Sequence, residues 1–299
     1  MDFIGNKKAV EILSKSISNA AFNHAYLFSG PERVGKFILA KKFALAAISG
    51  ESLDLDVDSF NKDAMLDLVV VEPEIKEKNS ISKQRDIPIE LIRDSKQSLS
   101  LYPYHGKYKI LIINDAHRMT NASQNAMLKV LEEPNQTTII ILVTHEIDRI
   151  LPTILSRLQV VNFGLVTDDE MRDGFAENFS FQNDCIKLSI GRPGLAKFLN
   201  ENIEEKNFRI DALSEFEKIK KGTLNEKFKL AEQLSKDSMK TLDKLNIWIW
   251  ELRKFITSVD AIESSRALIG IEKIQKSMNI LKRSNANSRL ILETLFMDL

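Results

Sequence analysis

Residues 30 to 37 read GPERVGKF, which is a phosphate-binding loop up to its last letter. Gly30 and Gly35 allow backbone angles that turn successive amides inward, and Lys36 has the reach to meet the outer phosphates of a nucleotide. The residue after that lysine should carry a hydroxyl to hold magnesium, and here it is Phe37. A second departure lies in ILIINDAH, which has the form of a strand ending in the carboxylates that bind magnesium and activate water. Asn114 stands at the metal-associated position and Asp115 at the position of the longer, water-activating glutamate. A neutral amide does not replace a carboxylate on magnesium. Helix capping would explain one of these oddities but not both, so the pair points to a phosphate site without hydrolysis. ATP binding is unlikely on this reading, no cofactor is required, and no metal-ligand set is expected.

These residues need a parallel sheet to position them. HAYLFSG (24 to 30) is a short strand ending in the loop's first glycine, and GKFILAKKFALAAI (35 to 48) follows with helical spacing of Ile38, Leu39, Phe43 and Ala46. LDLVVVEP (66 to 73), KYKILIINDAH (107 to 117), TTIIILVTH (137 to 145) and LQVVNF (158 to 163) are near-continuous apolar, β-branched runs. Such runs suit strands buried on both faces by helices. IPIELIRDSKQSLSLYP and NASQNAMLKVLEEP supply helices between them, the second closed by Pro134.

Past Phe163 convincing strands cease. A Gly-Arg-Pro-Gly corner sits between two short helical stretches, and beyond about Asn207 apolar residues such as Leu242, Leu245, Ile249, Leu252, Phe255 and Val259 recur every three or four positions. That is the pattern of a helix bundle, with at least one of Trp248 and Trp250 in its core. The fold class is therefore α/β plus all-α.

Composition narrows the function classes. The chain has 299 residues, 43% of them apolar, which is enough for more than one core. No apolar run reaches the ~18 to 20 residues of a membrane span, and the N-terminal stretch is amphipathic without a signal-peptide core, so a cytoplasmic location is expected. The single cysteine, Cys185, forms neither an internal disulfide nor a multi-cysteine zinc site. With 42 basic against 42 acidic residues there is no global basic field, and clusters such as KYK and HRMT are too sparse to mark a DNA surface. The acidic GESLDLDVDSF (50 to 60) lacks the glycine and terminal glutamate of a calcium loop and reads as a solvated connection.

HAYLFSGPERVGK, YKILIINDAHRMTNASQNAMLKVLEEPNQTTIIILVTH and LPTILSRLQVV closely resemble the delta-prime family of bacterial DNA polymerase III clamp-loader subunits, within the AAA+ superfamily. The resemblance is densest over residues 1 to 163 and continues weakly to NANSRLILETLF. It implies three parts: a RecA-like AAA+ parallel-sheet domain (1–163), a small helical lid (164–206) and a helical collar that joins subunits (207–299). It also implies a non-hydrolysing stator in a hetero-pentamer with gamma/tau-type motor subunits, which bind and hydrolyse ATP, and a delta subunit. The sliding clamp and primer-template DNA would be met through the assembly. Of the family's SRC signature, Ser156 and Arg157 are present, and this arginine would reach the ATP of a neighbouring motor as an arginine finger. A planar, permanently charged guanidinium suits the charge that spreads over phosphate oxygens as the bond breaks.

Departures from the family bear on these expectations. Leu158 replaces the signature's cysteine, a change of packing more than of charge. ESLDLDVDSF stands where many members carry a four-cysteine zinc module, so no zinc is expected. Gly194 falls where the motor subunits' lid presents an arginine to the nucleotide, with Arg192 close by. Two other readings remain: an ATPase motor of an AAA+ assembly, and a nucleic-acid-binding adaptor built on an inactive AAA+ scaffold.

Overall fold

The computed structural model describes residues 3–53, 64–78, 81–176, 183–256, 260–283 and 287–299. The chain separates into two compact units, Met1–Phe179 with Gly191–Leu195, and Ser180–Ile190 with Ala196–Leu299.

The first unit is built on five parallel strands, β1 (Ala25–Ser29), β2 (Leu68–Val71), β5 (Lys109–Ile113), β6 (Thr138–Thr144) and β7 (Gln159–Asn162), in the order β2-β5-β6-β1-β7. All five lie inside the runs expected from sequence. Every residue of β1, β5 and β6 is buried, as helical cover on both faces requires. Against one face packs α2 (Lys36–Ser49), whose Leu39, Phe43 and Ala47 join Tyr26, Phe28, Ile110, Ile112, Ile139 and Ile141. The other face gathers Leu27, Leu111, Ile113, Ile140 and Leu142 under α3 (Ile89–Leu99) and α4 (Asn121–Glu132), through Ile92, Leu99, Met127 and Leu131. The strict division of alternate strand residues between two clusters is the period-two alternation of a two-sided core. Capping by Thr120, which accepts from the Ser123 amide at 3.1 Å, fixes the start of α4.

Strand order matters for function because it splits at β1. Its neighbours β6 and β7 lie on either side, so the loop after β1 opens where successive connections diverge, the usual ligand crevice of an open parallel sheet. A two-stranded antiparallel ribbon, β3 (Ile75–Lys78) and β4 (Ile81–Gln84), was not anticipated. Its sequence, IKEK and ISKQ, has no apolar run of the kind that marked the other strands.

The second unit is helical. Helices α9 (Ile203–Lys221), α10 (Leu224–Leu234), α11 (Ser238–Arg253), α12 (Ala261–Arg283) and α13 (Ser288–Asp298) enclose one core around Phe216, Leu245, Trp248, Ile274, Leu292 and Phe296. Trp248 is fully buried, stacks on Phe216 at 5.3 Å between centroids and donates from Nε1 to the Ala212 carbonyl at 2.7 Å. This is the packing role expected of one tryptophan. Of the heptad-like apolar series, Val259 lies outside the described residues. Cys185 is buried in α7 (Asn183–Ser189). Among the described residues no helix is long and apolar enough to cross a membrane.

Candidate functional site

The loop between β1 and α2 has the geometry its glycines suggested. Gly30 has φ +149°, and a Cβ there would lie 2.2 Å from the Phe163 carbonyl oxygen at the end of β7. Gly35, at φ +97°, is the residue from which α2 starts. Both positions exclude a side chain on conformational grounds. Lys36 is only 6% exposed. Its ammonium donates to the Gly30 carbonyl at 2.7 Å and to the Pro31 carbonyl. Burial pulls it down to about 8, opposed by the charges of Asp115 and Glu32. A buried ammonium at a helix N-terminus, held by carbonyls rather than by a carboxylate bond, fits an anionic phosphate.

Phe37 turns to other work. Its ring packs on the first core cluster, with the Lys41 ammonium 4.2 Å above its centroid. The ring itself offers no oxygen to a cation. Asn114 follows β5, with its amide N–H on the Val71 carbonyl at 2.9 Å and its Nδ2 on Glu72 at 3.0 Å. Its side chain thus ties β5 to β2. Asp115 adopts φ +50° and lies 3.6 Å from Nδ1 of His145. Burial alone would raise the Asp115 carboxyl, but His145, with His117 and Arg118, outweighs it and holds the group below the usual carboxylate range.

Strand register brings these residues to one level. Ser29 is paired with Thr144, so Gly30 comes off β1 beside His145 at the end of β6. Asp115 leaves β5, the next strand along, and His117 follows it. His117 is 4% exposed, and its ring lies edge-on to His145 at 4.1 Å between centroids. Its Nδ1 is 3.4 Å from the Thr144 hydroxyl. Burial, and then the charge of His145, push it down to about 4. Sequence reasoning missed His117 and His145. The signal available was a histidine shortly after each of two adjacent strand ends, in NDAH and VTH.

Gly194 was expected to mark a missing arginine. The structure places it in the first turn of α8 (Pro193–Glu201), donating its amide to the Arg33 carbonyl of the phosphate loop at 2.9 Å. A Cβ at Gly194 would stand 2.9 Å from that same oxygen. The close approach of backbone to backbone is the local reason for a glycine. Arg192, two residues earlier, is buried.

Arg157 is not at this site. It precedes β7, whereas the phosphate loop, Asn114 and Asp115 all follow their strands, and every strand in the sheet is parallel. Gln159 is level with Tyr26, and Phe163 meets Gly30, so four extended steps, roughly 13 Å, separate those levels before the last two residues back to Arg157 are added. Its guanidinium is half-exposed. It donates to Glu132 at 2.9 Å, to the Thr153 carbonyl at 2.8 Å and to the Ser156 hydroxyl at 3.3 Å. Leu158 packs on the second core cluster.

Residues 5–167 match the family model described as DNA polymerase III, delta subunit. The chain belongs to that family. Among similar curated proteins, the DNA polymerase III tau subunit of Bacillus subtilis (strain 168) is 33% identical over 166 residues, covering 56% of this chain and 29% of the relative. The gamma subunit of Buchnera aphidicola is 26% identical over 177 residues, 57% of this chain and 46% of the relative. The gamma/tau subunit of Mycoplasma genitalium is 28% identical over 264 residues, 86% of this chain and 38% of the relative. The chain thus spans less than half the length of each. A gamma subunit-related protein of Thermotoga maritima is a similar solved structure, 20% identical, covering 97% of both chains with a TM-score of 0.46. The Thermotoga maritima RuvB Holliday junction branch migration motor is another, 16% identical, covering 96% of this chain and 88% of that one, TM-score 0.47. The family is the clamp-loader branch of AAA+ proteins related to DNA polymerase III gamma and tau.

One expectation is corrected by these relatives. The sequence suggested that no cofactor is required and that ATP binding is unlikely. Yet the similar curated proteins are gamma and tau subunits, the type to which the resemblance assigns ATP. Phe37 brings no side-chain oxygen and Asn114 no carboxylate to a metal, but Gly30, Gly35 and Lys36 keep the parts that hold phosphate. The hydroxyl absent at Phe37 bears on a metal, and leaves the glycines and the lysine of the phosphate cradle in place. The zinc part of the same expectation rested on the segment from Glu51 to Phe60, of which 54–60 lies outside the described residues.

Proposed function

We propose that this chain is a clamp-loader subunit that holds nucleotide without hydrolysing it, and that it supplies Arg157 across a subunit boundary to the nucleotide of a neighbouring gamma/tau-type motor. The observation that carries this reading is the position of Arg157. It sits at the N-terminal edge of the sheet, remote from the chain's own phosphate loop, and is held on the surface by an exposed ion pair with Glu132. Such a pair is worth no more than ~1 kcal/mol, so an incoming phosphate readily takes its place.

On this reading the first 163 residues are the AAA+ domain, residues 164–206 a lid and residues 207–299 a collar. The partners are motor subunits and a delta subunit in a hetero-pentamer that loads a sliding clamp on primed DNA during replication. Ser156, which accepts from Arg157, steadies the finger. The test is single-turnover hydrolysis in a reconstituted assembly where only the adjacent motor is competent. Arg157→Ala should slow that site by roughly 10³ to 10⁵ while assembly survives. An unchanged rate in an intact assembly refutes the role.

The likeness to gamma and tau subunits favours a second reading, that the chain is itself a motor. Steady-state hydrolysis by the isolated protein above a Lys36→Ala control would establish it. Against this stand Phe37, committed to core packing, and Asn114, bonded to Glu72.

A further inference from the structure

We propose that Asp115, His117 and His145 form a binding site for a borderline-soft divalent cation of the zinc or cobalt(II) class, beside the phosphate loop. Each residue offers one ligand atom, and the three atoms lie within 4.8 Å of one another. Two imidazoles and one carboxylate are the donor set of such ions, whereas magnesium and calcium take oxygen.

The contacts are those of ligands awaiting an ion more than of a finished hydrogen-bond network. Asp115 Oδ1 and His145 Nδ1 are 3.6 Å apart, too far for a hydrogen bond. Two ligands of one tetrahedral ion with bonds of ~2.0 to 2.1 Å stand about 3.3 Å apart, close to what is seen. His117 gives the second, independent indication. Its side chain is more than nine-tenths buried, and its Nε2 has no hydrogen-bond partner among the described residues. An orphaned ring nitrogen in a buried position costs free energy that a metal bond would recover. The other nitrogen, Nδ1, is near the Thr144 hydroxyl at 3.4 Å, the kind of outer partner that orients a ligating imidazole.

Backbone geometry holds the three in place. His117 lies in the 3-10 turn after β5, Asp115 is fixed at φ +50° just before it, and His145 directly follows the neighbouring strand β6. Three protein ligands leave a coordination position for water or an anion, as in metal sites that act on an exogenous oxygen. This inference does not depend on the chain binding nucleotide or on the role of Arg157.

The full-length protein, stripped with a chelator, is titrated with cobalt(II) alone and then with zinc against a chromophoric chelator. One saturable equivalent with visible cobalt absorption is expected, displaced by zinc and not by excess magnesium. His145→Ala, a partly exposed position, should weaken binding at least tenfold, and Asp115→Asn should do likewise with circular dichroism unchanged. The chain has four histidines, and replacing the other two, His24 and His105, should leave affinity as it was. Absence of a saturable equivalent, displacement by magnesium, indifference to His145→Ala, or dependence on His24 or His105 would each overturn the site.

Discussion

Lys36→Met should stabilise the first unit while ending its affinity for phosphate. Burial lowers the lysine from 10.5 to about 8, a change of roughly 2.5 units, which at ~1.36 kcal/mol per unit costs about 3 kcal/mol whenever the group is charged. Methionine keeps the unbranched stem and removes the charge, but it also removes the donor to the Gly30 and Pro31 carbonyls. Losing those bonds returns ~1 kcal/mol or so. A net gain of about 1 to 3 kcal/mol at pH 7 is expected. The sign with pH follows from linkage. The folded pKa lies below the unfolded one, so between about pH 8 and 10.5 the unfolded chain binds more protons and the unmutated protein gains stability as pH rises. The advantage of Lys36→Met is therefore full below about pH 8 and shrinks toward pH 10.5. Both tryptophans lie in the second unit, so their fluorescence reads the wrong core. Amide hydrogen exchange of peptides covering β1 and β6 at pH 7 reads the right one, and should slow roughly 5- to 100-fold. Urea titrations by circular dichroism from pH 7 to 10 follow the pH term. Faster or unchanged exchange at pH 7, or an advantage that persists at pH 10, would refute the account of Lys36 as a buried cation whose partners only partly offset its desolvation. Added nucleotide should protect the unmutated chain and leave Lys36→Met unaffected.

Arg157→Ala should change unfolding free energy by less than ~1 kcal/mol, since its ion pair with Glu132 is exposed; a larger loss in urea titration would make the residue structural first. Phe37→Thr combined with Asn114→Asp should still give no turnover by the isolated chain, and hydrolysis above a Lys36→Ala control would show that the two positions were the whole lesion. Asp67, fully buried, accepts amides of Tyr104, His105 and Gly106 at 2.6 to 3.1 Å. Burial would raise its carboxyl, but those three bonds outweigh it and hold the group low, so its contribution is present above about pH 4 and is lost as pH falls below that. Asp67→Ala should cost about 2 kcal/mol or more and flatten the acid limb of the stability curve. Gly194→Ala should cost about 1 to 3 kcal/mol in thermal unfolding, because its Cβ would press on the Arg33 carbonyl; a neutral result would mean the loop yields freely.

What the sequence disclosed, and what it withheld, follows from how far each signal acts along the chain. Buried parallel strands announce themselves as β-branched runs, and all five were found that way. The ribbon of Ile75–Lys78 and Ile81–Gln84 was missed because each strand has a single apolar residue, its first, and its pairing is a matter of backbone hydrogen bonds. His117 and His145 are 28 positions apart, and only the pairing of β5 with β6 makes them neighbours. No spacing rule for metal ligands covers two strand ends joined by a crossover helix. The packing of Gly194 was hidden for a related reason, since its hydrogen bond to the Arg33 carbonyl is a contact across 161 residues. The ring of Phe37 lies on the core beneath Lys41, which accounts for how a phenylalanine fits at a helix start without disturbing the loop.

The polarity of a parallel sheet also bears on why one half of the chemistry can be altered without the other. Residues that follow strands β1, β5 and β6 meet at one edge, and those that precede β7 meet at the opposite edge. Phe37 and Asn114 make their contacts with the first core cluster, Lys41, Val71 and Glu72, while Arg157 makes its own with Thr153, Ser156 and Glu132. The two sets share no residue. Free-energy changes at sites more than ~7 to 10 Å apart with no common partner are close to additive. A substitution at Phe37 therefore places no strain on the Arg157 guanidinium across the sheet, and under the function proposed above Arg157 needs nothing from the loop on its own chain. Double replacement at Phe37 and Arg157 should accordingly show stability effects that sum within ~0.5 kcal/mol. A coupling well beyond that would mean that the sheet transmits strain between its edges, and the independence on which the stator reading depends would fail.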